Sequence, residues 1–364
     1  MAKLLDVFDD VTKLGRKIPT DEYLSSGDYP IIDQGQDYIA GYTFETDGLY
    51  EDVPAVIFGD HTRVVKYVNT PCFLGADGVK LLKVKSDNND TKYLYYRLCA
   101  ADIPNTGYNR HFKWLKEVDI PLPPLETQKQ IAATLDKVTD LINKRKQQLE
   151  KLDELVKSRF VEMFGDPAEN SKKWTARFLC DVCTKLTDGT HFSPESYEIG
   201  EYRYVTAKNI KLGGFDFSNV TYVNADVHND IYARCNPEYG DVLYIKDGVT
   251  TGIAMVNTLN EPFTMLSSVA LLKQNREIIN GTYLCGVLNN KHMYDMIRSD
   301  MGGAAITRLT IAKLNKIRIP VPPLAIQQQF STFVESVDRS KQHVKESLEK
   351  LETLKKSLMQ KYFG

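Results

Sequence analysis

The feature that most constrains this chain is a stretch that occurs twice, 199 residues apart. Val118-Asp119-Ile120-Pro121-Leu122-Pro123-Pro124-Leu125-Glu126-Thr127-Gln128-Lys129-Gln130-Ile131 recurs as Ile317-Arg318-Ile319-Pro320-Val321-Pro322-Pro323-Leu324-Ala325-Ile326-Gln327-Gln328-Gln329-Phe330, with three prolines, a leucine and two glutamines in place. The same offset runs ungapped through Leu149-Glu150-Lys151-Leu152 and Leu348-Glu349-Lys350-Leu351, and ends at Phe164-Gly165 and Phe363-Gly364. A repeat of this kind governs every later reading of the chain.

Proline cannot continue a strand or a helix interior, but it is well tolerated at a helix entry, where its missing N–H is already one of the orphan donors. Each copy therefore reads as an extended Pro segment that opens a long helix. Apolar residues then fall at Ile131, Leu135, Val138, Ile142, Leu149, Leu152, Val156 and Met163, broken only by Arg145 and Arg159. The second copy gives Phe330, Val334, Val337, Val344, Leu348, Leu351, Leu358 and Tyr362, broken at Lys341 and Lys355. Spacings of four and three make this a heptad seam. Each seam is polar where the other is apolar, which favours an unequal pair within one chain over two self-pairing helices. The alternative is that each helix serves a different oligomer contact. As one helix, residues 125 to 163 would span roughly 58 Å at 1.5 Å per residue, more than one turn of B-DNA at about 34 Å.

Residues 1 to 120 and 174 to 310 have a different character, rich in Tyr, Val, Ile, Gly and Asp, and read as mixed α/β globular domains. Their openings match loosely, Leu5-Asp6-Val7 with Cys180-Asp181-Val182 and Thr12-Lys13-Leu14 with Thr184-Lys185-Leu186, at offsets of 175 and 172, so the second domain carries extra residues. The expected division is a first domain at 1–120, a spacer helix at 121–165, a second domain at 166–310 with a polar entry linker at 166–173, and a second spacer helix at 311–364. A composition 42% hydrophobic and 26% charged suits two globular cores. The acidic N-terminus lacks the apolar core of a secretory signal and no run of about 18 apolar residues occurs, so a cytoplasmic protein without a membrane segment is expected. Among six cysteines only Cys180 and Cys183 have C-x-x-C spacing, which leaves a zinc site or two semi-buried thiols.

The order of domain, Pro-Pro-Leu-x-x-Gln helix, domain, Pro-Pro-Leu-x-x-Gln helix resembles the DNA-specificity subunit of type I restriction-modification systems along essentially the whole chain. Met163-Phe164-Gly165-Asp166-Pro167 followed by Trp174 looks like that family's junction into its second domain. Thr187-Asp188-Gly189-Thr190-His191-Phe192-Ser193-Pro194, then Tyr204-Val205-Thr206-Ala207-Lys208-Asn209-Ile210, then Gly240-Asp241-Val242-Leu243-Tyr244-Ile245-Lys246-Asp247-Gly248 with Gly252, look like a common type of recognition domain. Asp52-Val53-Pro54-Ala55-Val56-Ile57-Phe58-Gly59-Asp60-His61-Thr62-Arg63 resembles it more loosely. The resemblance implies an α+β protein of two target recognition domains separated by two long antiparallel paired helices with pseudo-two-fold symmetry. Each domain would read one half of a bipartite asymmetric sequence in double-stranded DNA, and the helices would set the spacer and dock two methyltransferase subunits. Restriction/translocase subunits would join for cleavage, and S-adenosylmethionine, ATP and Mg would belong to those partners, with no cofactor on this chain. The pseudo-two-fold also brings the two termini near each other.

Base reading calls for Arg or Lys toward guanine, Asn or Gln toward adenine, and Thr or apolar groups toward the thymine methyl. In the first domain the candidates are Gln34 and Gln36 flanking Gly35, His61, Thr62 and Arg63 after Gly59, and Asn109, Arg110 and His111. The glutamine pair also fits a plain surface turn, and His111 a histidine satisfied against Phe112 and Trp114. In the second domain the candidates are Thr190, His191, Lys208, Asn209, Lys246 and Arg308; Lys246 and Arg308 also fit phosphate contacts, which position without reading sequence. Asp188, His191 and Asp247 allow a catalytic reading. Against it, the chain has no phosphate loop, no H-E-x-x-H, no G-x-S-x-G and no Asn-Pro-Pro-aromatic signature for a flipped adenine.

Phosphate binding calls for a basic surface, yet residues 1–120 carry 14 Lys+Arg against 19 Asp+Glu, net −5, and residues 166–310 carry 14 against 17, net −3. Residues 121–165 have 8 against 7, net +1, and residues 311–364 have 10 against 5, net +5. Weak DNA binding by the chain alone is expected, with partner subunits supplying much of the phosphate contact. A scaffold or adaptor binding protein or carbohydrate through its domains is the alternative, and a metal-dependent nuclease the third.

Overall fold

The computed structural model describes residues 1–75, 77–299 and 308–364. The chain forms two compact units, residues 1–147 with 345–364, and residues 148–344. Each repeated Pro-Pro-Leu opens a 40-residue helix, Leu125–Phe164 and Leu324–Phe363, and each helix gives one part of its length to each unit.

In the first unit the strands Phe8–Asp10, Val79–Val84, Ala55–Gly59 and Val65–Val68 form, in that order, an antiparallel central sheet. A smaller outer sheet pairs Tyr29–Ile32 antiparallel with Gly41–Thr43 and parallel with Phe73–Leu74. Strand side chains alternate between faces. Val56 and Phe58 therefore pack with Tyr93, Leu94 and Leu98 of the helix Thr91–Cys99 and with Ala132 of the first long helix. Ala55 and Ile57 pack with Ile32 and Leu74 of the outer sheet. A strand covered on both faces has no polar side, which is why Ala55–Gly59 is buried throughout.

The second unit repeats this plan. Its central sheet has the order Cys183–Asp188, Val269–Gln274, Val242–Ile245, Ala254–Val256, all antiparallel. Its outer sheet pairs Tyr202–Val205 antiparallel with Thr221–Val223 and parallel with Thr264–Met265. Val242 and Tyr244 pack with the helix Gly281–Leu288 and with Phe160, Phe164 and Phe330 of the long helices, while Leu243 and Ile245 pack with Val205 and Met265. A hairpin, Ile210–Lys211 with Gly214–Phe215, and a helix, Ala225–Arg234, have no counterpart in the first unit and absorb part of the extra length.

The repeated motif fastens each unit to its helix. Gln128, 1% exposed, accepts from the Asp90 amide (2.9 Å) and donates to the Pro123 carbonyl (2.8 Å). Gln327, fully buried, accepts from the Asn280 amide (2.8 Å) and donates to the Pro322 and Ile278 carbonyls. Asp90 and Asn280 are the N-caps of the two short helices packed under the central sheets. Tyr93 and Tyr283 donate to the Pro121 and Pro320 carbonyls (2.8 and 2.7 Å). Backbone carbonyls of the Pro-rich segment thus receive the motif's own side-chain amide and a tyrosine hydroxyl.

The long helices are paired antiparallel in both units. Lys146 meets Glu352 (3.6 Å) in the first; in the second, Asp153 meets Lys341 (2.7 Å) and Phe160 lies edge-on to Phe330. Every seam position predicted from the heptads is buried or half-buried. Two of its polar interruptions are satisfied across the pair, Lys341 by Asp153 and Arg159 by the ring of Phe333. Pairing within the chain settles the alternative of separate oligomer contacts. Met1, Ala2 and Tyr362 line one cavity of the first unit, so the termini are neighbours as the repeat requires. No helix among the described residues is long and apolar enough to cross a membrane.

Candidate nucleic-acid interface

In the first unit three connections meet beyond the same ends of the sheets. The turn after Gly59 closes through the Gly59 amide on the Val64 carbonyl (2.8 Å) and places Arg63 at φ 63°. Gln34, just past the outer strand, runs into this turn: it accepts from the His61 amide (3.1 Å), donates to the Asp77 carbonyl (3.1 Å), and its own carbonyl receives the Thr62 hydroxyl (2.6 Å). A Cβ at Gly59 would collide with Thr62 and Gln34, so only glycine lets the two connections close on each other. The third connection, residues 104–111, is anchored by His111, whose amide and Nδ1 both meet the Asp60 carbonyl (2.7 and 2.9 Å). His61 Nδ1 bonds the Asn109 carbonyl (3.2 Å), and Arg63 donates to the Ile103 carbonyl (3.1 Å). Below the Gln34–Gln36 turn, Lys66 pairs with Asp33 (3.5 Å); its burial lowers the ammonium pKa in spite of Asp33 and Asp37.

The second unit gathers its candidates around two carboxylates. Asp188, at the end of a central strand, faces His191 (3.2 Å), Arg234 (3.4 Å) and Lys246 (3.5 Å). Asp247 faces Lys246 (2.9 Å) and Arg308 (3.5 Å). Thr190 bonds the backbone of Met265 and Ser267, while Ser268 accepts the Lys246 amide and, through its hydroxyl, the Ala207 amide, so the connection carrying Lys208 and Asn209 joins the same node. A Cβ at Gly189 would overlap the Met265 carbonyl. Each carboxylate is matched by cations of the chain itself, the pattern of a structural ion-pair cluster rather than of an acid–base pair held ready for substrate.

All fourteen predicted residues fall on these two faces, with different parts. Gln36, Thr62, Asn109, Arg110, His191, Lys208 and Arg308 are exposed, and Gln34, His61 and Arg63 half-buried. Neither Arg110 nor Lys208 has an ion pair among the described residues, which leaves both cations free for a partner. Burial corrects the reading for four others. His111 is 0% exposed, Lys246 2%, and Thr190 and Asn209 3% each. Asn209 caps its own turn through the Thr206 amide and donates to the Asp216 carbonyl. Side chains so enclosed brace the connections and offer no polar atom to a base edge. Two residues went unnoticed in the sequence. Arg234, in the last turn of the helix that only the second unit has, donates to the Gly189 carbonyl and to Asp188. Tyr108 stacks on His61 at the tip of the third connection.

Cys180 is exposed and Cys183 half-buried, both as free thiols, and no group of three or more potential metal ligands occurs among the described residues. Burial pushes the thiols of Cys72, Cys183 and Cys235 up to about 12. None of these three is an activated nucleophile.

The sequence model of the type I restriction modification DNA specificity domain matches residues 1–151 and 171–353. The EcoR124I/EcoR124II type I restriction enzyme specificity subunit of Escherichia coli is 21% identical over 358 residues, covering 91% of this chain and 86% of that one. The MjaVIII type I restriction enzyme specificity subunit of Methanocaldococcus jannaschii is 23% identical over 315 residues, covering 79% and 74%. Among solved structures, the S subunit of a type I restriction-modification system from M. genitalium superposes with a TM-score of 0.62 at 19% identity, covering 100% of this chain and 95% of that one. A chain from a study of complex assembly and conformational transition of the type I R-M system gives 0.55 at 17% identity, with 100% and 96% covered.

Proposed function

This chain belongs to the family of type I restriction-modification DNA specificity subunits, and from that premise we propose how it divides the work. Each unit reads one half of a bipartite, asymmetric target. The observation that carries this is a shared frame with unshared tips: the same two sheets in the same strand order end in Gly59-Asp60-His61-Thr62-Arg63 in one unit and in Lys246-Asp247-Gly248 in the other. Equal frames present equivalent connections, while unequal side chains select different bases.

In the first unit Gln36, Arg63 and Arg110 are the candidate base and phosphate contacts, with Gln34 and His111 fixing their loops. In the second, His191, Lys208 and Arg308 take that part, with Asp188, Arg234 and Lys246 holding the frame. The paired helices, continuous through both units, set the spacer between the half-sites. The segments that carry them, net +1 over residues 121–165 and net +5 over residues 311–364, serve two methyltransferase subunits that close around the duplex and add the phosphate contacts two acidic domains lack. The similar structure from a type I assembly study supports such partners.

Chemistry rests with those partners: the methyltransferases bring S-adenosylmethionine, and the restriction/translocase subunits bring ATP and Mg. The work is done in the cytoplasm, where the DNA is. The test is methylation-aware sequencing of cells carrying the methyltransferase with and without this chain. A bipartite motif with N6-methyladenine in both halves, present only with the chain, is expected; no chain-dependent motif beside a folded, cofactor-binding methyltransferase would move the weight to the adaptor reading.

A further inference from the structure

Within the first unit's candidate interface one large side chain stands almost wholly in solvent and has no hydrogen bond among the described residues. Tyr108 is 86% exposed at the tip of residues 104–111. A single exposed aromatic ring needs no explanation by itself, but this one is held. The Asn105 side chain accepts the Gly107 amide (3.2 Å), the Gly107 carbonyl accepts the Asn109 amide (2.8 Å), and the Asn109 side chain donates back to Thr106. His111, buried on Asp60, anchors the end of this loop. One face of the Tyr108 ring lies on the His61 imidazole, centroids 4.5 Å apart and planes within 6°, and His61 is itself fixed by the Asn109 carbonyl. The result is a two-ring platform with its free face in solvent, two residues along the chain from Arg110, which is exposed and has no ion pair among the described residues.

An oriented aromatic ring with one face free is the equipment of a base-stacking site, because every nucleobase has a π-face, and an exposed arginine on the same loop is within the kind of reach that phosphate contacts use. Modifying an adenine within a duplex requires its extrusion from the stack, which leaves neighbouring bases without a partner. We propose that Tyr108 stacks on a base left exposed in the first half-site when the docked methyltransferase extrudes its adenine, so that the specificity chain stabilises the opened duplex as well as reading it. The inference rests on the reading of this unit as a DNA-reading domain.

The test uses the full chain with its methyltransferase on the duplex identified by methylome sequencing. 2-Aminopurine, dim when stacked and bright when not, replaces the base beside the first half-site's methylated adenine. The wild-type complex should stay dim, Tyr108→Phe should stay dim, and Tyr108→Ala should brighten. Base–aromatic stacking is worth on the order of tenfold in binding per base, so Tyr108→Ala should methylate the first half-site about tenfold more slowly while the second keeps its rate. Equal brightness and equal first-half rates for wild type and Tyr108→Ala would overturn the inference and leave the functional reading intact. A wild-type complex that neither binds nor methylates the duplex would overturn both.

Discussion

Gln327→Ala is the sharpest probe of how the repeat builds the protein. Its side chain, fully buried, receives the Asn280 amide at 2.8 Å and donates to the Pro322 and Ile278 carbonyls at 2.8 and 3.1 Å. Truncation strands one buried donor and two acceptors. At about 1–3 kcal/mol for each unsatisfied buried group, partly relieved where water enters, the loss is of order 3 kcal/mol. Asn280 also caps the helix Gly281–Leu288, accepting the Thr282 and Tyr283 amides, so opening should be local to that helix. The assay is hydrogen exchange of residues 281–288, with Thr91–Cys99 of the other unit as internal control. An opening penalty reduced by about 3 kcal/mol raises exchange about 150-fold. Gln327→Met, which keeps the volume and loses the bonds, should do the same, and Gln128→Ala should shift the effect to residues 91–99. A rise under fivefold for Gln327→Ala, or an equal rise in both helices, would refute the fastening role of the motif.

Three further outcomes are expected. Lys246→Met removes the buried cation between Asp188 and Asp247, leaving Arg234 and His191 on the first and Arg308 on the second, and should cost about 2 kcal/mol in urea unfolding of the second unit; a loss below about 0.5 kcal/mol would contradict the ion-pair cluster. Gly189→Ala drives a Cβ into the Met265 carbonyl and should destabilise by about 2 kcal/mol or more, while Gly213→Ala, with open space around it, should melt as wild type does. Burial lowers the His228 pKa, only partly offset by Glu201, on a ring stacked against Tyr202 and bonded to Thr264. A folded-state pKa below the unfolded value means the unfolded chain binds the extra proton first, so stability is fully present above about pH 6.5 and falls as pH drops toward the folded value. His228→Gln should flatten that slope in thermal melts between pH 7.5 and 5.5, and an unchanged slope would assign the dependence to other groups.

The helices were the legible part of the sequence, because a heptad seam depends on a period that survives substitution of one apolar residue by another. Even its polar breaks at Arg159 and Lys341 found partners. The shared strand order of the two domains was not legible. Central strands buried on both faces, such as Ala55–Gly59 and Val242–Ile245, show no alternation, and the inserted hairpin and helix of the second unit shift the offset from 199 toward 172. Residue type singled out Gly-flanked polar turns at strand ends, the positions where exposed connections are expected. It could not separate exposed side chains from enclosed ones: His111 and Arg110 are neighbours in sequence, one enclosed on Asp60 and the other in solvent. Tyr108 escaped notice because aromatic residues in a Tyr-rich domain are read first as core.

The division of labour between the units is tested most directly by the methylated motif of cells in which Gln36→Ala and Arg110→Ala are combined, both changes lying in the first unit. Degenerate bases in one half of the motif, with the other half and the spacer length unchanged, is the expected result. Altered bases in both halves, or an unaltered motif, would contradict independent reading by two equivalent domains.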